Sequence, residues 1–220
     1  MGVICVESGI VERKSSEARV VAPTKDRPRR LLVADDEHLV ASGLAASLKE
    51  LGFEVVGPVS DGRAALKLCR EERPDLALLD IRMPELDGPD AAQAIFEQCL
   101  VPVIIFSAYS DPEEVKRCDG AGIFGYLLKP VTQDQLRVGI SIAWGRFRDY
   151  MEVYSETTKL RQRLEDRKLI EQAKWILVKR KEVDEPEAMR LLQRQARNTR
   201  RPLVEIAKGI IDNDSLINGE

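Results

Sequence analysis

Residues 76–88 read LALLDIRMPELDG. Four consecutive apolar residues run straight into Asp80, and Pro84 and Gly88 follow. A short strand that is apolar throughout is buried on both faces. That pattern belongs to a parallel sheet covered by helices, because a sheet with one solvated face alternates apolar and polar residues. Asp80 then stands at the carboxyl end of such a strand, where open α/β sheets bind their ligands.

The same pattern extends outward in both directions. Apolar runs lie at 31–34, 54–59, 101–106 and 126–128, and helical spacing lies between them, as in Leu39, Leu44, Leu48 and Leu51. Five strand–helix repeats predict a doubly wound α/β domain with a five-stranded parallel sheet. The strand ends share a chemistry. The first run ends in Asp35-Asp36, the third in Asp80, the fourth in Ser107 and the fifth in Lys129. One acidic strand end is commonly just solvated. Four polar ends in order at one edge make a site. Its three carboxylates repel one another and call for a divalent cation, and hard oxygen donors suit Mg²⁺. In such a site Asp80 is placed to attack a phosphoryl group. The metal and Lys129 offset charge on the phosphoryl oxygens, and the Ser107 hydroxyl donates to one of them.

The chain has 220 residues, enough for this domain and a smaller second one. Its apolar fraction of 44% suits a packed protein. No apolar run is long enough to span a bilayer, no signal peptide is legible, and Val6 breaks the myristoylation pattern that Gly2 begins. A cytoplasmic protein is expected. Residues 1–29 show no sustained period and read as a poorly ordered lead. The cysteines at 5, 69, 99 and 118 form no CxxC pair and read as separate reduced thiols, not a zinc site. His38, the one histidine, reads as a surface residue at the start of the first helix, not as a phosphodonor.

After Lys129-Pro130 the character changes. Thr132, with Gln135 three residues on, reads as a helix start, and no proline follows until beyond Lys181. Apolar residues recur at 136, 140, 143, 147 and 150, and the pattern resumes at 153, 157 (a Thr), 160 and 164. This seam suits a coiled coil between two copies of the chain; the other reading is a helix packed on its own α/β domain. Asp184, with Pro186 and Glu187, starts a second helix to about Arg197. Residues 198–202 turn, and a third helix follows through Leu203, Ile206, Ala207, Ile210 and Ile211. Charge divides along the chain: 31–130 carry 9 Lys/Arg against 18 Asp/Glu (9 − 18 = −9), and 160–201 carry 13 against 7 (13 − 7 = +6). Dense basic residues on the helical part point to phosphates of a nucleic acid; the other reading is a solvated coiled-coil face whose charges pair with Glu and Asp. Residues 151–220 hold no histidine, cysteine or Gly-rich phosphate loop, which argues against an enzymatic output.

Residues 31–145 resemble response-regulator receiver domains through LLVADDE, LLDIRMPELDG, IIFSA and GYLLKP. The resemblance implies a flavodoxin-like fold and phosphoryl transfer to Asp80 from a partner histidine kinase. Transfer from small donors and self-dephosphorylation fit it too. It implies Mg²⁺ held by Asp36, Asp80 and the Arg82 backbone carbonyl, with Asp35 reaching it through water. It also implies a salt bridge from Lys129, a cis Lys129–Pro130 peptide, and Ser107 and Tyr126 as a hydroxyl–aromatic switch pair. Residues 160–211 resemble the ANTAR domain of transcription antitermination regulators through Leu164-Glu165, Arg167, Ile170, Ala173-Lys174, Leu177, Glu187-Ala188, Leu191, Ala196, Arg200-Arg201, Val204 and Ile206-Ala207. That resemblance implies capture of hairpin RNA in nascent transcripts, with Arg167, Lys168, Lys174, Arg197, Arg200 and Arg201 as candidate contacts. Trp175 departs from the family, which has glycine there. It either blocks RNA or stacks on it. The expected domains are a lead over 1–29, a receiver over 30–145, a coiled-coil linker over 146–163 and an RNA-binding domain over 164–214. The competing outputs are a DNA-binding or a purely protein-docking helical module.

Overall fold

The computed structural model describes residues 26–108, 117 and 122–218. The chain runs β1 (Arg30–Ala34), α1 (His38–Glu50), β2 (Glu54–Val59), α2 (Gly62–Glu72), β3 (Leu76–Asp80), α3 (Gly88–Cys99), β4 (Val103–Ser107), β5 (Ile123–Leu128), α4 (Gln133–Lys181), α5 (Glu185–Thr199) and α6 (Leu203–Asn218). The helix expected between β4 and β5, the lead over 1–25, Cys5 and Cys118 lie outside the described residues. Within the expected lead, Pro28 is buried, and the Arg29 N–H donates to Asp75 at 2.8 Å as the chain enters β1.

All five strands are parallel, in the order β2-β1-β3-β4-β5. Alternate residues of the central strands feed two cores. Leu32, Ala34, Ala77, Leu79, Val103 and Ile105 meet α2 and α3 on one face. Leu31, Val33, Leu76, Leu78, Ile104 and Phe106 meet α1 and the start of α4 on the other. Expected burial on both faces holds for β1, β3 and β4. It fails for β2 and β5, which are edge strands and lie partly open. The fifth strand also starts earlier than its apolar run. Gly125 precedes that run, yet it packs in the sheet, where a Cβ would stand 3.3 Å from Ile104. Leu39 departs too: it is 86% exposed, and Ala41, Leu44, Ala45 and Leu48 carry the buried face of α1.

Helix α4 begins with the expected capping box of Thr132 and Gln135 and runs 49 residues. The seam read from 136 to 150 as a pairing surface is largely spent inside the molecule. Leu136, Ile140 and Ala143 are buried on the sheet. Trp144, Phe147 and Met151 are buried with Phe96, and Phe124 packs against them. Phe124 and Phe147 meet edge-on at 5.4 Å, and Tyr150 stacks on Tyr154 at 6.0 Å. A sheet face demands the same spacing of threes and fours as a partner helix, so period alone did not separate them. Beyond Met151 the seam is open: Val153, Leu160 and Leu164 are 64%, 58% and 60% exposed.

The last third of α4 packs with α5 and α6 around Ala173, Leu192, Ile206 and Ala207. Asp184 caps α5 by accepting from the Glu187 N–H at 2.8 Å, and α5 ends two residues later than expected, at Thr199, where Arg200 takes a left-handed conformation. Small alanines at 173 and 207 let the helices approach closely. This compact core is small, so each apolar contact matters more to it than in the larger domain.

Candidate functional site

The carboxyl ends of the strands bring Asp35, Asp80, Ser107 and Lys129 together. Asp80 closes the fully buried strand β3, and the chain's return at Gly88 fixes its backbone. Gly88 comes so near that a Cβ there would lie 2.1 Å from the Asp80 carbonyl oxygen, and the Gly88 N–H donates to Ile81 at 2.8 Å. Only glycine fits that approach.

Lys129 sits between the carboxylates. Its Nζ donates to Asp35 Oδ2 and to Asp80 Oδ1, each at 2.6 Å. Its ammonium also stands 5.1 Å from the centre of the Phe106 ring, a platform that the sequence pattern did not single out. The remaining oxygens are held by backbone: the Glu37 N–H donates to Asp35 Oδ1 at 2.9 Å, and the Arg82 N–H donates to Asp80 Oδ2 at 2.8 Å. The Lys129 N–H donates to the Ser107 carbonyl at 2.7 Å, which ties the ends of β4 and β5. Asp35 is 2% exposed, Ser107 2% and Asp80 8%. The Lys129–Pro130 peptide is cis, as the receiver resemblance implies.

Burial pushes the Asp80 carboxyl above the ordinary carboxylate range, and the hydrogen bond and charge of Lys129 offset only part of this. For Lys129, burial pulls downward, but its hydrogen bonds to Asp35 and Asp80 more than reverse this and leave the ammonium above its ordinary value. The site therefore holds a protonated lysine against two carboxylates in a low-dielectric setting.

Asp36 is exposed, apart from this triad. With Asp35, His38 and Ser60 it lines a cleft of about 280 Å³. Among the described residues, no three acidic or other metal-binding side chains converge closely enough to hold an ion. The three carboxylates expected to converge are thus arranged as two on Lys129 and one in the adjoining cleft. Arg82 is exposed, and here it is the backbone N–H of Arg82 that contacts Asp80. Tyr126 is half-buried on β5, in register with Ile105 of β4, and packs toward the core under β4. His38 is exposed at the start of α1, as expected. Cys69 and Cys99 are free thiols; burial pushes the Cys69 thiol up to about 12, which makes it inert.

The candidate contacts on the helical part separate by their partners. The Lys174 side chain is only 13% exposed and is tied to Glu171 at 2.8 Å and Glu185 at 3.8 Å. The Glu171 hydrogen bond raises the Lys174 pKa above its ordinary value. Lys168 lies 3.4 Å from Glu165 and Arg201 lies 2.9 Å from Glu205. Arg167, Arg197 and Arg200 are exposed. Trp175 is 54% exposed.

Comparison with known proteins finds two families along the chain. Residues 31–141 match the family described as the response regulator receiver domain, and residues 158–211 match the ANTAR domain. Over 197 residues, the chain is 36% identical to the transcriptional regulatory protein PdtaR of Mycobacterium tuberculosis, covering 88% of this chain and 96% of that protein. It is 36% identical over 110 residues to the regulatory protein AtoC of Escherichia coli, covering 50% of this chain and 24% of AtoC. Among solved structures, it is similar to the signal receiver domain of a modulated diguanylate cyclase from Desulfovibrio desulfuricans. That match has a TM-score of 0.52 and 33% identity and covers 56% of this chain and 97% of that one.

Proposed function

The chain belongs to the response regulators, with a receiver domain joined to an ANTAR domain, and from that premise we propose a phosphorylation-controlled RNA-binding antiterminator. One observation carries the reading: one unbroken helix, α4, starts just beyond the buried Asp80–Lys129–Asp35 site and runs into the basic three-helix module.

Asp80 is the phosphoacceptor. An oxygen of its carboxylate attacks the phosphorus of a phosphohistidine on the partner kinase. A P–O bond forms, the P–N bond breaks, and the imidazole leaves with the electron pair and takes a proton from solvent. Lys129 holds its proton throughout, and its ammonium neutralises oxygen charge on the incoming group. Asp36, Asp80 and the Arg82 carbonyl would hold Mg²⁺, with Asp35 reaching it through water; their hard oxygens suit that ion, and Asp36 would turn in from the adjoining cleft to join them. When bound, Mg²⁺ supplies further charge neutralisation on the phosphoryl oxygens. Ser107 and Lys129 are drawn to the new phosphoryl group, and Tyr126 turns inward behind Ser107. Thr132, where α4 starts, lies three residues beyond Lys129, so a shift of Lys129 has a short route into the helix.

The output is the basic module acting on hairpin RNA in nascent transcripts. Two copies pair along α4 through Val153, Thr157, Leu160 and Leu164, the exposed part of the seam, and present two modules side by side. The regulator works in the cytoplasm, where transcripts are made. A titration with a synthetic RNA of two tandem hairpins, with duplex DNA of equal length as comparison, tests the output. RNA binding strengthened by a small phosphodonor, and absent strengthening in Asp80→Asn, is expected. Preference for DNA, or no nucleic-acid binding at low salt, overturns the reading.

A further inference from the structure

Residues 188–204, which span most of α5 and the turn after it, contain five arginines and no aspartate, glutamate or lysine. On the long helix some basic side chains are closely answered by carboxylates, Lys174 by Glu171 and Glu185 and Arg180 by Asp214, while among the described residues Arg167, Lys179 and Lys181 are exposed and pair with none. On α5 the unanswered basic residues are gathered on one short helix. Arg190 keeps only a loose contact to Glu187, at 3.4 Å with its side chain 70% exposed. Among the described residues, Arg194, Arg197 and Arg200 are exposed and pair with no carboxylate.

Their positions are coherent. At roughly 100° per residue, Arg194 and Arg197 fall within about 40° of Arg190 on the helix circumference. Ala188 and Leu192, which are buried in the module core, define the opposite face. The three guanidinium groups therefore form one outward stripe, one helical turn apart, and Arg200 continues it at the left-handed cap. Guanidinium forks fit phosphate oxygens in pairs and are more weakly hydrated than ammonium groups, so they give up water readily on binding.

We propose that this outer face of α5, Arg190, Arg194, Arg197 and Arg200, is the surface that grips RNA phosphates, whereas Lys174 is spent on joining α4 to the start of α5 and Arg201 is answered by Glu205. The proposal rests on the RNA-binding reading and narrows it. It moves the main contact from the long helix, where paired and unpaired basic residues alternate, to a face where neighbouring arginines are unanswered in space. Gln193 and Asn198 flank the stripe with amide groups able to read exposed bases.

The test is a salt titration of the full-length protein with an RNA of two tandem hairpins. Arg194→Gln/Arg197→Gln is the stripe variant; glutamine is a good helix former, and circular dichroism checks that the fold is kept. Arg63→Gln/Arg137→Gln removes the same charge from the receiver. The stripe variant is expected to bind roughly tenfold more weakly or worse, with its salt slope shallower by about 1.5, and the receiver variant to match wild type. Wild-type affinity and slope in the stripe variant overturn the proposal while leaving RNA binding intact. Tighter RNA binding by the stripe variant also overturns it, because the stripe would then be docked on an acidic protein surface such as the receiver. A wild-type protein that binds no RNA at low salt overturns the parent reading and this one with it.

Discussion

At the scale of single residues, Lys129 is the hinge of the site's energetics. It answers two carboxylates that are otherwise buried, Asp35 and Asp80. Removing one partner of a buried ionic cluster leaves uncompensated charge, so Lys129→Ala is expected to destabilise the receiver by about 3 kcal/mol in urea unfolding. In an Asp80→Asn background the loss is expected to shrink, because one bare carboxylate is gone; equal losses in both backgrounds contradict the shared-lysine geometry. The pH dependence has a definite sign. Lys129 is raised above 10.5, so its contribution is fully present below 10.5 and is lost as pH rises through the higher folded value. Wild-type stability should therefore fall more steeply than that of Lys129→Ala across the alkaline range. Asp80 is raised above 3.8 chiefly by burial, so folding disfavours its ionised form at neutral pH. In metal-free buffer Asp80→Asn is expected to be at least as stable as wild type near neutrality, and clear destabilisation would contradict that.

At the scale of elements, α4 does two jobs with one pattern. Ile140→Ala is expected to cost about 2–4 kcal/mol in unfolding free energy, because Ile140 is 1% exposed against the sheet. Leu160→Glu/Leu164→Glu is expected to leave that free energy near wild type and to shift light scattering toward monomer. A receiver weakened equally by both would mean that the open seam also packs inward. Trp175 lies eleven residues beyond Leu164, three helical turns on, and so on nearly the same face. That places it in line with the open part of the seam. The sequence made the site legible because an apolar run that stops at a polar residue marks a buried strand's end. It made the capping box at Thr132 and the helix end at Lys181 legible for the same local reason. It did not show which half of the seam faced the sheet, because that choice depends on where Phe96 and Phe124 come to lie. Nor did it show which basic residues were already paired, since Glu185 meets Lys174 only after the chain has turned.

At the scale of the whole molecule, 49 helical residues span roughly 73 Å, so the receiver and the basic module share one rigid axis for part of its length. Phase along that axis should matter more than distance. An insertion of roughly seven residues within the open seam keeps the heptad register and is expected to preserve phosphorylation-dependent RNA binding. An insertion of two residues rotates everything beyond it by roughly 200° and is expected to abolish the response while leaving both domains folded. Equal responses in the two insertions would mean that the helix acts only as a tether. The charge balance along the chain, −9 over 31–130 and +6 over 160–201, governs how an encounter begins. Such a molecule is an electric dipole, and a polyanion exerts a torque on it. On the RNA-binding proposal it would turn before it touches and approach a transcript with the basic module leading and the receiver held back in solvent. Added salt should then slow arrival more than it hastens departure, and a receiver made less acidic should collide just as often but land the wrong way round.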